Sequence, residues 1–248
     1  MAIGERIVDL YNDFLIYLKF FVDCLHKMNK FLPFPPVLLV ALTTVFSASA
    51  QDVKGNPQAG QKKIAMCLGC HGIEGYQASF PEIYKVPKIA GQGAKYIVSA
   101  LTAYKKGDRK HPSMRGVVDN LGDQDMADIA VYFEALGKVE RTPAPGKAAE
   151  GNAQAVALVN KGACATCHGD SFSKPIDPSY PKIAGQPADY LFVALKSYKT
   201  EGNATWGRAN PVMGGIAKQF TNAELKELAN YVSSLPGELK TVPQARFK

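Results

Sequence analysis

Two short stretches, CLGCHG at residues 67–72 and CATCHG at 164–169, each set two thiols and an imidazole within five positions. Four chemistries compete for such a trio. Tetrahedral zinc needs four ligands per metal, usually as two pairs, whereas each stretch offers only Cys, Cys and His. A dithiol redox centre belongs at a strand-to-helix junction in a βαβ context, which the surrounding sequence lacks. A disulfide across each pair leaves the histidine unexplained in both copies. Covalent attachment of haem uses all three residues, because each thiol adds to a vinyl group and the adjacent histidine turns inward to ligate iron. Cys67, Cys70, Cys164 and Cys167 are therefore expected to carry two haem c groups through thioethers, with His71 and His168 on the irons.

A sixth ligand must come from elsewhere in each half. Met114, in KHPSMRG, and Met213, in NPVMGG, occupy matching loops 99 residues apart, and a thioether opposite imidazole suits a high-potential carrier. Met126 falls on an apolar helical stripe and reads as core. Met66 abuts Cys67 on the attachment side. His111 could give bis-histidine ligation, but its counterpart is Asn210. Pro87 and Pro181 could offer carbonyls to the second nitrogens of the two histidines; turn prolines would explain them equally well. The paired tyrosines could approach haem edges or propionates, although aromatic residues at helical spacing more commonly fill a core. Trp206 has no partner in the first half and no assigned role.

These residues recur because the chain repeats itself. The CxxCH trios are 97 positions apart, PKIAGQ at 87–92 returns identically at 181–186, and Tyr96 and Tyr104 match Tyr190 and Tyr198. MADIAVYFEALG from Met126 aligns with LKELANYVSSLPG from Leu225. The organisation expected is an N-terminal lobe over 51–140, a linker over 141–151 rich in Pro, Gly and Ala, and a C-terminal lobe over 152–248.

Helices must position the ligands. Asn56 before Pro57 predicts a capped helix running toward Cys67. Tyr96, Ile97, Ala100, Leu101 and Tyr104 keep helical spacing up to a stop at Lys106-Gly107. Met126, Ile129, Ala130 and Phe133 form a half-buried stripe on a helix starting near Asp123. Thr221 and Glu224 form a capping box ahead of Leu225, Leu228, Ala229 and Val232, and Pro236-Gly237 ends that helix. No stretch alternates as a useful strand. Lobes of about 90 residues bury little apolar surface alone, so the macrocycles are expected to complete their cores.

Composition and the N-terminal stretch fit an exported globular protein. Hydrophobic residues make up 46% of 248, and the fifth cysteine is Cys24, near the start. The net charge of +7 favours an acidic partner surface, offset in part by four haem propionates. The lysines are scattered with no basic helix or Arg-rich run, so nucleic acid is not an expected partner. Residues 28–50 read as a signal peptide, with Lys30, an apolar run and the small residues Ala48 and Ala50 before cleavage. The clean run Val37–Ala50 is shorter than the roughly 20 residues of a membrane span. Residues 1–27 resemble an amphipathic helix, and Met28 is the expected start.

Together CLGCHG, CATCHG, both PKIAGQ copies, LGDQDMADIAVYFEALG and one loop methionine per lobe resemble the dihaem cytochrome c4 family over essentially Gly55 to Leu235. The resemblance implies an all-α fold of two tandem class I cytochrome c lobes related by a pseudo-two-fold axis, haems facing each other near the interface, and His71/Met114 and His168/Met213 as the two ligand pairs. The chain departs from the consecutive methionines expected in lobe two, since NPVMGG supplies only one. The implied role is periplasmic electron transfer from a respiratory donor complex to a terminal oxidase, as a monomer compatible with peripheral attachment to a membrane. With both irons six-coordinate, an electron carrier is expected and not an enzyme. The alternative is a part in sulfur oxidation, as a thiosulfate dehydrogenase or the cytochrome subunit of a flavoprotein sulfide dehydrogenase.

Overall fold

In the computed structural model, residues 53–138 and 153–243 are described, together with Lys19. The expected pre-segment apart from Lys19, the expected signal peptide and cleavage site, Cys24 and the whole of the expected linker lie outside the described residues. No helix among the described residues is long and apolar enough to cross a membrane.

Lobe one opens with α1 (Pro57–Gln61), whose cap is Asn56: its side chain accepts from the amides of Gln58 and Ala59. A single helix from Asn56 to Cys67 does not form. A turn at Lys62 and Lys63 buries Ile64 and restarts the chain as α2 (Ala65–His71). Two-residue strands β1 (Gln77–Ala78) and β2 (Tyr84–Lys85) pair with each other. Next comes α3 (Ala94–Lys106), which stops where Gly107 adopts φ 84°, a conformation that favours glycine. Then follow β3 (Arg109–Lys110), α4 (Pro112–Val118) and α5 (Asp123–Leu136). Lobe two repeats the helices as α6 (Ala153–Lys161), α7 (Cys164–His168), α8 (Ala188–Ser197), α9 (Pro211–Ala217) and α10 (Asn222–Ser234), with β4 (Gly207–Arg208) before α9. The architecture is all-α apart from these minimal strands.

The first and last helices of lobe one cross in backbone contact. A Cβ on Gly60 would lie 2.2 Å from the Asp128 carbonyl oxygen, so only glycine fits there. Asp128 locks the crossing: its buried carboxylate accepts from the Asn56 amide at 2.7 Å, Gln124 at 2.8 Å and Lys63 at 2.7 Å. The stripe on α5 lies inward as its period predicts, with Met126 and Phe133 both 2% exposed. In lobe two the box at Thr221 closes as expected, with Thr221 Oγ1 accepting from the Glu224 amide and Glu224 accepting from the Thr221 amide.

The lobes meet through equivalent residues, as a two-fold relation requires. Gln92 donates to the Lys182 carbonyl and accepts from the Lys182 amide, both at 2.9 Å. Its repeat-mate Gln186 does the same to Lys88, donating at 2.7 Å and accepting at 2.9 Å. β3 and β4 then pair antiparallel across the lobes, with Arg109 opposite Arg208. Finally the C-terminal tail returns to lobe one, where the Lys240 amide donates to Ala90.

Candidate functional site

A cavity of about 650 Å³ runs through both lobes and is lined mainly by apolar side chains. Protein interiors normally hold few voids larger than a water molecule. Here core residues of both lobes, including Ile97, Leu101, Ile129 and Phe133 from the first and Leu191, Leu225 and Leu228 from the second, face open space. A large flat apolar group would complete these cores.

All eight residues singled out by type and spacing line this cavity: Cys67, Cys70, His71 and Met114 from lobe one, Cys164, Cys167, His168 and Met213 from lobe two. On α2 and α7 the two thiols stand three residues apart with the histidine immediately after, so all three share one helical side. The four thiols are free. Burial pushes the Cys67 thiol up to about 11 and raises that of Cys164 as well. Among the described residues no three or more of His, Cys, Asp and Glu are grouped as a metal cluster.

Each histidine is oriented by a backbone carbonyl. Nδ1 of His71 lies 2.8 Å from the Pro87 oxygen and Nδ1 of His168 lies 3.0 Å from the Pro181 oxygen. The carbonyl fixes Nδ1 as the donor and leaves Nε2 as the lone-pair nitrogen for a metal. Burial lowers both imidazole pKa values, against the pull of these carbonyls, so the neutral ligating form prevails at pH 7. The prolines of PKIAGQ thus serve the histidines rather than merely turning the chain. After α7, Gly169 adopts φ 76°, and a Cβ there would lie 2.0 Å from the Lys174 carbonyl oxygen; glycine alone lets the chain leave the histidine at that angle.

Both loop methionines sit in the first turn of a short capped helix. Asn210 Oδ1 accepts from the Met213 amide at 2.9 Å. His111 occupies the same cap on α4, with Nδ1 facing the Met114 amide at 3.5 Å, while its Nε2 lies 3.2 Å from the Phe80 carbonyl. Both its ring nitrogens are therefore engaged by the backbone. Met126 is packed in the core and Met66 is 67% exposed at the cavity mouth.

Sequence reasoning missed Arg109 and Arg208, which also line the cavity. They hydrogen-bond Tyr96, Tyr190 and Tyr198, so three of the four repeated tyrosines meet a guanidinium at the lobe junction. Tyr104 is core at 8% exposure, though Arg109 stacks on its ring. The available signal was the recurrence of one arginine per lobe at the 99-residue offset. Trp206 lines the same cavity, from lobe two.

A profile of the cytochrome c family matches residues 57–137 and again 151–236. The chain is 31% identical to a cytochrome c4 of Pseudomonas aeruginosa, an alignment covering 84% of this chain and 100% of that one. A thiosulfate dehydrogenase electron acceptor of Stutzerimonas stutzeri is 29% identical over 83% of this chain and 96% of its own. Among solved structures, reduced recombinant cytochrome c4 from Pseudomonas stutzeri superposes with a TM-score of 0.54 at 30% identity, covering 73% of this chain and 100% of that chain.

Proposed function

The chain belongs to the cytochrome c family, in its two-lobed cytochrome c4 branch, and from that premise we propose that it is a periplasmic carrier passing electrons from a respiratory donor to a terminal oxidase. Membership makes it a dihaem electron-transfer protein with two covalently attached haem c groups, a carrier and not an enzyme. The observation that best supports a carrier over a catalyst is the matched equipment of the two lobes. A protein that turned over a substrate would be expected to differ in one lobe, by an absent or unusual ligand.

In this reading Cys67 and Cys70 would hold one haem covalently and Cys164 and Cys167 the other, and His71 with Met114, and His168 with Met213, would ligate the two irons. When bound, the groups supply reversible one-electron chemistry at iron. The chain contributes rigidity and exclusion of water. Pro87 and Pro181 hold the imidazoles, the caps at His111 and Asn210 hold the methionine turns, and apolar side chains keep solvent from the metal. We further assign the signal peptide to residues 28–50 with cleavage after Ala50, and the lobes to 51–140 and 152–248. N-terminal sequencing of the mature protein checks the cleavage site.

A second reading is favoured by the similarity to a thiosulfate dehydrogenase electron acceptor. There the chain would still be a carrier, with a different donor. Stopped-flow mixing separates the two: the reduced protein is expected to be oxidised by oxidase-containing membranes and, in its oxidised form, to stay oxidised with thiosulfate and a thiosulfate dehydrogenase. Rapid reduction in the second mixture, with none of the first reaction, reverses the assignment.

A further inference from the structure

The methionine turns of the two lobes are held by different caps. In lobe two, Asn210 accepts from the Met213 amide at 2.9 Å through an exposed side chain. In lobe one, half-buried His111 takes that place. Its Nδ1 lies 3.5 Å from the Met114 amide, longer than the usual bond of about 3 Å, so this cap alone holds the turn loosely. The imidazole is fastened from its other side. Its Nε2 lies 3.2 Å from the Phe80 carbonyl oxygen, and the rings of Phe80 and Tyr84 meet it edge-on with centroids at 6.0 and 6.5 Å. The tautomer with its proton on Nε2 satisfies both contacts, donating to Phe80 and leaving the Nδ1 lone pair for Met114.

Phe80 belongs to the β1–β2 hairpin, a feature of lobe one alone. Fifteen residues (72–86) separate His71 from Pro87, against twelve (169–180) between His168 and Pro181, and 169–180 form no strand. The hairpin is seated on α8 of the other lobe. Asp189 accepts from the Lys85 amide at 3.0 Å and pairs with the Lys85 ammonium at 3.5 Å, and Glu82 pairs with Lys196. Buried Tyr84 packs with its ring centroid 6.3 Å from that of Tyr190. Bonded and packed groups therefore run without a break from α8 through the hairpin and His111 to Met114. The β3–β4 pair precedes both methionine turns and tethers them alike; the hairpin adds a second tie to the Met114 turn only.

We propose that His111 is a positioning residue which fastens Met114 to lobe two through the β1–β2 hairpin, so that the hold of Met114 on its iron, and not that of Met213, depends on the seating of the hairpin. The proposal rests on the reading of Met114 as an iron ligand. A thioether is a neutral, weak donor whose bond to iron competes with added ligands, so the stiffness of the turn that presents it sets how readily it is displaced. Coupling of this kind needs a contiguous physical path between the two places, and here each step of the path is a named contact. The two lobes thus carry like ligand sets with unlike supports: a local cap in lobe two, and in lobe one a cap that reaches across the junction.

The test titrates the oxidised holoprotein with imidazole and follows the two methionine methyl proton signals, which the irons shift away from the rest of the NMR spectrum. Met114→Ala assigns the lobe-one signal; if it removes neither signal, the ligand reading beneath the proposal is what fails. His111→Ala is expected to ease displacement in lobe one about fivefold, the effect of losing a helix cap, and His111→Asn, which copies lobe two, to restore most of it. The decisive variant is Glu82→Ala combined with Asp189→Ala, since neither residue lines the cavity. It is expected to ease displacement in lobe one by at least about twofold, the low end of coupling between groups in contact, with lobe two unchanged. In the His111→Asn background the same pair of changes should add nothing. An unchanged lobe one, an equal loosening of both lobes, or an undiminished effect in the His111→Asn background overturns the proposal. Should these variants fail to mature, nitrogen NMR of His111 in the reduced wild-type holoprotein decides: a proton on Nε2 is expected, and a proton on Nδ1 leaves no acceptor for the Met114 amide and overturns the tie.

Discussion

Gln92 and Gln186 stand at the same place in two repeats, and each closes a two-bond ring with the backbone of the other's lobe. They are 3% and 4% exposed. The identity of PKIAGQ in both lobes thus has two physical causes in one motif: its proline carbonyl orients a histidine, and its glutamine joins the lobes. Gln92→Ala leaves the Lys182 amide and carbonyl without their partner at a buried junction, a loss of about 1–3 kcal/mol per unsatisfied group. Guanidinium denaturation of the holoprotein is expected to show that loss for either variant. The double variant should unfold in two steps, as lobes that no longer stabilise each other. A single unchanged transition would mean the rings contribute nothing.

The crossing of α1 and α5 carries an acid sensitivity of known sign. The Lys63 ammonium, the Asn56 amide and Gln124 together hold the Asp128 carboxyl down to about 2, against about 3.9 in an unfolded chain. A depressed pKa gives stability that is fully present above the unfolded value and lost as pH falls from about 4 toward 2. Asp128→Asn is expected to be less stable at neutral pH, and its stability should fall less steeply across that window. Parallel curves for the two proteins in acid would contradict the assignment.

Met213 depends on its cap. Asn210→Ala removes the acceptor of the Met213 amide and should cost about 1 kcal/mol of helix stability, with a weakened sulfur-to-iron band in the oxidised spectrum. Met213→Ala should go further, giving one haem that binds carbon monoxide while the other does not. If neither haem binds it, Met213 is not the ligand.

Net charge predicts the kinetics of docking. With +7 on the chain, steering toward an acidic partner weakens as the Debye length shrinks from about 10 Å at 0.1 M ionic strength to 3 Å at 1 M. Electron delivery to the partner should be faster at low salt. Rates independent of salt would count against steering.

Much of the site was legible because its determinants are local. CxxCH is a five-residue pattern, caps such as Asn56 and Thr221 act within one turn, and the stripe from Met126 to Phe133 follows the helical period. The repeat multiplied each signal, since a reading in one lobe could be checked in the other. The break at Lys62 and Lys63 was not visible, as no proline or glycine marks it and the burial of Ile64 depends on tertiary packing. Nor was the β3–β4 pairing, because two-residue strands have no period to read. Arg109 and Arg208 acquire their meaning only when the lobes bring them together, and nothing in GDRKH or WGRAN alone tells a cavity cation from a surface one.

In the function proposed above, each lobe would hold a haem whose iron is saturated by histidine and methionine. Optical spectra of the purified exported protein, oxidised, reduced, and reduced under carbon monoxide, test it most directly. Two covalent haems per chain with a sulfur-to-iron charge-transfer band and no carbon monoxide adduct are the predicted result. A high-spin haem, or one that binds carbon monoxide in the unmodified protein, would mean an open iron and contradict it.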